Sequence, residues 1–263
     1  MKHLHFTQQG FGKKIIVLIH GFCEDNSIWQ QFMPSLAQKY KVIAPDLGGF
    51  GNSKNLLPHD VTIEDLAEQV KKLLDELEVK ECIMVGHSLG GYVSLAYAEK
   101  YANTLKGLSL FHSSALADSE TKKRARNQTT FFVQKNGVPA FAEDFSAMMF
   151  FQPRQKELNK EVNFIKDLVK KTPEKTILEV TIALRDRPDR TELLKTCNFP
   201  VQFIIGREDV SIPFSHYAEQ VFYPKDADIQ ILNDTAHVGM LERPQETLQM
   251  IHNFVQRCWK EYN

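Results

Sequence analysis

Several things are scarce in this sequence, and each scarcity removes a class of protein. Net charge is nearly absent. Lys+Arg number 32 against 33 Asp+Glu, a formal charge of −1, so no basic field draws the chain to nucleic acid. Long apolar runs are missing too. Ile15–Ile19 spans five residues, where crossing a bilayer takes roughly 20, so no membrane span is expected. Cysteine is sparse. Cys23, Cys82, Cys197 and Cys258 lie far apart and form neither a CxxC pair nor a Cys/His cluster. That pattern speaks against a zinc site or a disulfide framework and fits free thiols in a reducing cytoplasm. The opening Met1-Lys2-His3-Leu4-His5-Phe6-Thr7-Gln8 holds no apolar leader core and no small-residue cleavage site, so a cytoplasmic protein is expected. Disorder is excluded as well: 43% of the 263 residues are hydrophobic, enough to offset the entropy of ordering the chain.

What is present is a rhythm. Lys14–His20 is a continuous apolar stretch ending at Gly21, as in a strand buried on both faces. Val42–Asp46 is a second, stopped by the glycine-rich 47–52. A helix follows with Ile63, Leu66, Ala67, Val70, Leu73, Leu74 and Leu77 on one face, opened by a Thr62/Asp65 capping pair. Cys82–Val85 is a third strand, a helix carrying Val93, Ala96 and Tyr97 comes next, and Leu105–Phe111 is a fourth strand. Alternation with crossovers this long predicts an α/β fold, a mostly parallel sheet covered by helices on both faces.

Between Ala115 and Arg185 the rhythm breaks. Phe141/Phe145/Met148/Met149 and Leu158/Val162/Ile165/Val169 predict amphipathic helices, and Ile177/Thr181/Leu184 a weaker third. Seven of the 18 phenylalanines fall here, together with 13 Lys/Arg against 9 Asp/Glu. An excess of that size, spread over so long a segment, gives no reason to expect an anionic substrate. Alternation then resumes with strand Val201–Ile205, a helix over Phe214–Phe222, strand Asp228–Leu232, and a last helix after Pro244. The segment 115–185 is therefore an insertion between core segments 1–114 and 186–263.

Chemistry concentrates at strand ends. Gly86-His87-Ser88-Leu89-Gly90 fits G-x-S-x-G between a strand and a helix, the setting in which a tight turn lifts a serine hydroxyl above the sheet edge. A serine hydroxyl is a weak nucleophile and requires a base, which requires an orienting acid. In a parallel sheet the later strands end on the same rim. There the sequence supplies Asp209 after the Val201–Ile205 strand, and His237 after Asp228–Leu232. Glu208 and Asp234 are rival acids. The loop after the first long strand offers the Phe22 N–H, and the helix start the Leu89 N–H, as the two donors of an oxyanion hole. Cys23, Trp29, His112, Phe141, Phe145 and Val238 are the candidate substrate contacts. For His112 and Cys23 a satisfied or inert buried side chain is the commoner case.

These motifs together resemble the α/β-hydrolase superfamily, in its small cap-bearing esterase, lactonase and C–C hydrolase branch. The likeness rests on His20-Gly21, Asp46–Ser53, Gly86–Gly91, Gly206-x-x-Asp209-x-x-x-Pro213 and His237-x-x-x-x-Glu242-x-Pro244, in the family's order of serine, acid and histidine. The resemblance implies that Ser88, Asp209 and His237 form a triad, that Asp46–Ser53 and Glu242 are structural, and that 115–185 is a helical cap. It sets aside haloalkane dehalogenases and epoxide hydrolases, which carry aspartate where Ser88 stands. Epoxide hydrolases also usually place proline where Cys23 stands. Esterases with an HGGG loop are set aside too, as are meta-cleavage hydrolases, in which tryptophan typically follows the catalytic histidine at the place of Val238. An esterase or lactonase remains, with enol-lactonases nearest, acting on a small-molecule ester or lactone without metal or organic cofactor. Two other roles stay open: a cofactor-free haloperoxidase or perhydrolase, and a hydrolase-fold ligand receptor with slow turnover.

Overall fold

The computed structural model describes residues 3–260. Met1 and Lys2 of the N-terminal reading, and positions 261–263 of the second core segment, lie outside the described residues. Seven strands form one sheet in the order β1-β3-β2-β4-β5-β6-β7. They are β1 (Phe6–Gln9), β2 (Ile15–Ile19), β3 (Lys41–Pro45), β4 (Cys82–His87), β5 (Leu105–Phe111), β6 (Val201–Gly206) and β7 (Ala227–Leu232). All neighbours run parallel except β1, which pairs antiparallel with β3. Every residue of β2, β4 and β6 is buried, as their unbroken apolar runs require of strands covered on both faces.

Nine helices surround the sheet: α1 (Met33–Leu36), α2 (Ile63–Glu76), α3 (Leu89–Tyr101), α4 (Glu120–Met148), α5 (Asn159–Lys171), α6 (Glu174–Asp186), α7 (Thr191–Thr196), α8 (Gly239–Glu242) and α9 (Pro244–Cys258), counted among the described residues. The expected stripe of α2 is the one it buries. Its capping box is formed in both directions, Asp65 N–H to Thr62 Oγ1 at 3.1 Å and Thr62 N–H to the Asp65 carboxylate at 2.9 Å. α3 is buried over Leu89–Ala98 on every side, which marks it as the central helix of one layer.

From Ser119 the chain leaves the sheet for α4, α5 and α6, with α4 packed on the other two. α4 is two helical pieces. Gly137 sits at φ 79, ψ 167, a left-handed extended conformation open to glycine, and Pro139 starts the second piece where its missing N–H costs nothing. The excursion is pinned at its neck by the Arg190 N–H to the Ala115 carbonyl (2.8 Å) and by Arg187 to Asp118 (2.7 Å).

One expectation needs correction. The helix over Phe214–Phe222 is instead two 3₁₀ turns, Phe214–Tyr217 and Gln220–Phe222. Tyr217 and Gln220, three apart, point inward together with Val221, and the Gln220 carboxamide accepts the Ala115 N–H at 2.9 Å, while Phe222 is left 78% exposed. The sequence reading also passed over β1, a short polar edge strand with no apolar alternation to announce it. All four cysteines are free. Among the described residues no helix is long and apolar enough to cross a membrane, and no cluster of three or more His, Cys, Asp or Glu could hold a metal ion.

Candidate active site

The rim formed by the C-terminal ends of the parallel strands gathers the chemistry. β4 ends in His87, and Ser88 follows as the N-cap of α3 with φ 50 and ψ −112. That conformation is costly for a residue with a Cβ, on the order of 1–3 kcal/mol, and persists because the neighbours hold it. The Ser88 N–H donates to the Phe111 carbonyl (3.0 Å), and its carbonyl accepts from Ser113 Oγ (2.8 Å). The flanking glycines serve close approach rather than φ freedom. A Cβ on Gly86 would collide with the Gly90 backbone, and one on Gly90 with the Ile19 carbonyl. The strain thus falls on the serine, and the glycines let the strand and helix pack tightly enough to impose it.

His237 follows β7 and is 3% exposed; Asp209 follows β6 and is equally buried. His237 Nε2 lies 2.8 Å from Ser88 Oγ, and Nδ1 lies 2.7 Å from Asp209 Oδ2. A carboxylate only accepts, so Nδ1 carries the proton and Nε2 faces the hydroxyl as an acceptor. The other carboxylate oxygen, Oδ1, takes the N–H groups of Ser211 (2.7 Å) and Ile212 (3.0 Å). Burial pushes the Asp209 carboxyl up, but His237, His112 and these hydrogen bonds outweigh it and hold the pKa below its ordinary value. The rivals are placed elsewhere: Glu208 accepts the Thr235 N–H (3.0 Å), and Asp234 is exposed.

Beneath the elbow lies a pair that sequence reading missed. His87 Nδ1 is 2.9 Å from Glu24 Oε2, and Nε2 is 2.8 Å from the His237 carbonyl. Glu24 Oε2 also accepts the Gly21 N–H at 2.7 Å. Burial disfavours both charges. Against it, His87 and the Gly21 N–H hold Glu24 below its ordinary pKa, while Glu24 and the His237 carbonyl hold His87 above its own. With acceptors facing both ring nitrogens, His87 is an imidazolium paired to a carboxylate. The pair ties three loops together: the one after β2, the elbow, and the one bearing His237. His20 adds a further tie, Nδ1 to the Gly21 carbonyl (2.8 Å) and Nε2 accepting the Leu47 N–H (2.9 Å). Glu242 braces the His237 loop by accepting the Ala236 N–H (2.8 Å) and the Phe151 N–H (2.9 Å).

Ser88 and His237 open into a cavity of about 470 Å³, a size suited to a small-molecule ligand. Phe141 and Phe145 line it, stacked with centroids 5.0 Å apart, and Phe22 meets Phe145 edge-on. Phe22 N–H has no acceptor among the described residues, and Leu89 N–H is one of the free donors at the start of α3. Four other expected contacts are not on the cavity wall. Cys23, Trp29, His112 and Val238 have no exposed surface. Trp29 packs against Phe32 and Phe111, and the His112 ring takes the Gly206 N–H at Nδ1 (3.0 Å). In their place the wall holds Tyr92, Lys122, Arg126, Met149 and Ser211, among others.

A family model described as alpha/beta hydrolase fold matches residues 14–244. A pimeloyl-(acyl-carrier protein) methyl ester esterase of Aeromonas hydrophila is 26% identical over 247 residues, 91% of this chain and 94% of that one. A thermophilic esterase from Thermogutta terrifontis superposes with a TM-score of 0.90 at 26% identity, covering 97% of this chain and 93% of the other. The enol-lactonase from Burkholderia xenovorans LB400 shares the fold, with a TM-score of 0.88 at 22% identity and 96% of each chain covered. With most of its length inside that family match, the chain belongs to the alpha/beta hydrolase fold family.

Proposed function

We propose that the protein is a serine hydrolase that cleaves a small carboxylic ester or lactone through an acyl-enzyme on Ser88. The observation that carries this reading is the unbroken hydrogen-bonded line from Asp209 through His237 to Ser88, opening into the cavity. Ser88 Oγ attacks the carbonyl carbon as His237 Nε2 takes its proton; the C–O bond to the leaving alcohol then breaks, and His237 returns the proton to that oxygen. Asp209 stays ionised, fixing the tautomer and stabilising the imidazolium. The Phe22 and Leu89 N–H groups would receive the negative oxygen of the tetrahedral intermediate. Water, deprotonated by His237, releases the acid and restores Ser88.

In this reading residues 115–185 form a cap, and its phenylalanines shape the acyl or alcohol side of the cavity. The relatives named above that hydrolyse esters are consistent with the assignment. The test is labelling with a fluorophosphonate ester. One equivalent is expected on the peptide containing Ser88, and none on the Ser88→Ala protein. Labelling that persists in that variant would remove Ser88 from the mechanism.

A further inference from the structure

The cationic excess of the 115–185 segment is not spread evenly. Lys122 and Arg126, one helical turn apart on α4, both face the cavity that contains Ser88 and His237. Lys122 is partly buried, and its ammonium has one protein partner, the neutral carbonyl of Ser211 at 3.0 Å. It forms no ion pair among the described residues. Arg126 gives its Nε to Asp118 Oδ2 (3.1 Å), and its two Nη groups find no acceptor among the described residues.

The nearby carboxylates are already committed. Asp118 is shared with Arg187, which bonds its other oxygen at 2.7 Å and lies over the Tyr92 ring at 3.9 Å. Asp209 is filled by Ser211, Ile212 and His237. Asp144 also lines the cavity, but it is exposed and pairs with neither cation. The local field registers on the pair itself and on a neighbour. Burial and then the Arg126 charge draw Lys122 below its ordinary pKa, and burial followed by Lys122 and Arg187 does the same to His216. A partly desolvated ammonium and guanidinium with spare donors, set in a wall that also carries the Phe132, Phe141 and Phe145 rings, are arranged to receive an anion.

We propose that Lys122 and Arg126 form a carboxylate subsite, so that the ester or lactone cleaved at Ser88 bears a carboxylate on its acyl or its alcohol part. The inference rests on the ester-hydrolase reading above and specifies its substrate class. The segment's charge is small in sum, as the composition indicated, but two of its cations converge where the substrate would lie.

The experiment compares matched substrates that differ only in charge. One pair is 4-nitrophenyl hydrogen adipate and its terminal amide. The other is 3-(4-acetoxyphenyl)propanoate and its amide, which moves the carboxylate to the alcohol side. On the unmodified protein, kcat/KM should favour the carboxylate in one of the pairs by roughly 10- to 100-fold, the range a charge-assisted hydrogen bond supplies. In Lys122→Met and Arg126→Met that ratio should fall toward one. Amides hydrolysed as well as carboxylates in both pairs would overturn the subsite while leaving the ester-hydrolase reading in place. So would a preference that persists in both variants. Turnover of none of the four compounds, with Ser88 unlabelled by phosphonate, would overturn that reading and this inference with it. Because the first comparison needs no variant, a failure of either variant to fold does not blunt the test.

Discussion

Replacing Glu24 by Gln removes the charge that balances His87 beneath Ser88 while keeping the side chain's volume. Both groups are buried, Glu24 2% exposed and His87 not at all, so water does not substitute for the lost carboxylate. Breaking a buried pair by removing one partner costs about 3–5 kcal/mol, which for a chain of this size lowers Tm by roughly 6–20 °C. The pH dependence has a definite sign. The Glu24 pKa is held below its ordinary 4.5, so its contribution is complete above that value and is lost as pH falls through the lowered one. The His87 pKa is held above its ordinary 6.5, so its contribution is complete below that value and is lost as pH rises through the raised one. The stability gap between wild type and Glu24→Gln should therefore be widest between these two values and narrow on either side. Urea unfolding across pH 3–9, with a double-mutant cycle through His87→Gln, measures it. A gap below about 1 kcal/mol, or a coupling energy near zero, would refute the buried ion pair.

Other consequences follow from the same geometry. Asp209→Asn should leave the fold intact and lower kcat by roughly 10³- to 10⁴-fold, since an amide no longer fixes the His237 tautomer; steady-state kinetics beside a circular dichroism melt checks both halves. Gly90→Ala drives a Cβ into the Ile19 carbonyl, so the variant should lose at least 1–3 kcal/mol, on the order of an overpacked core, together with phosphonate reactivity. Phe145→Ala removes a ring stacked on Phe141 and edge-on to Phe22, enlarging the cavity beside Ser88. Its profile across 4-nitrophenyl esters should move toward longer acyl chains, and an unchanged profile would place that ring outside the substrate's path.

Much of the core was legible because it is local. Buried strands such as β2, β4 and β6 announce themselves by unbroken apolar runs, and the parallel topology then sends their ends to one rim. That is why Ser88, Asp209 and His237 could be picked from residues up to 149 positions apart in sequence. What escaped notice lacked a periodic signal. The first piece of α4 is largely polar and solvent-facing, so no apolar stripe placed Lys122 and Arg126 one turn apart on the cavity wall. Glu24 and His87 are 63 positions apart and become partners only when the loop after β2 closes over the elbow. Cys23, Trp29, His112 and Val238 were read as possible substrate contacts but are fully buried, because a pattern of residue types does not encode depth.

The central claim is that Ser88 is the nucleophile. It is tested most directly by hydrolysis of 4-nitrophenyl acetate by Ser88→Ala alongside wild type, both shown to be folded by their melting curves. The predicted result is a loss of about 10⁴-fold or more in kcat/KM, the scale on which losing the nucleophile of a triad acts. Activity retained within tenfold of wild type would contradict the account, whatever else the triad geometry suggests.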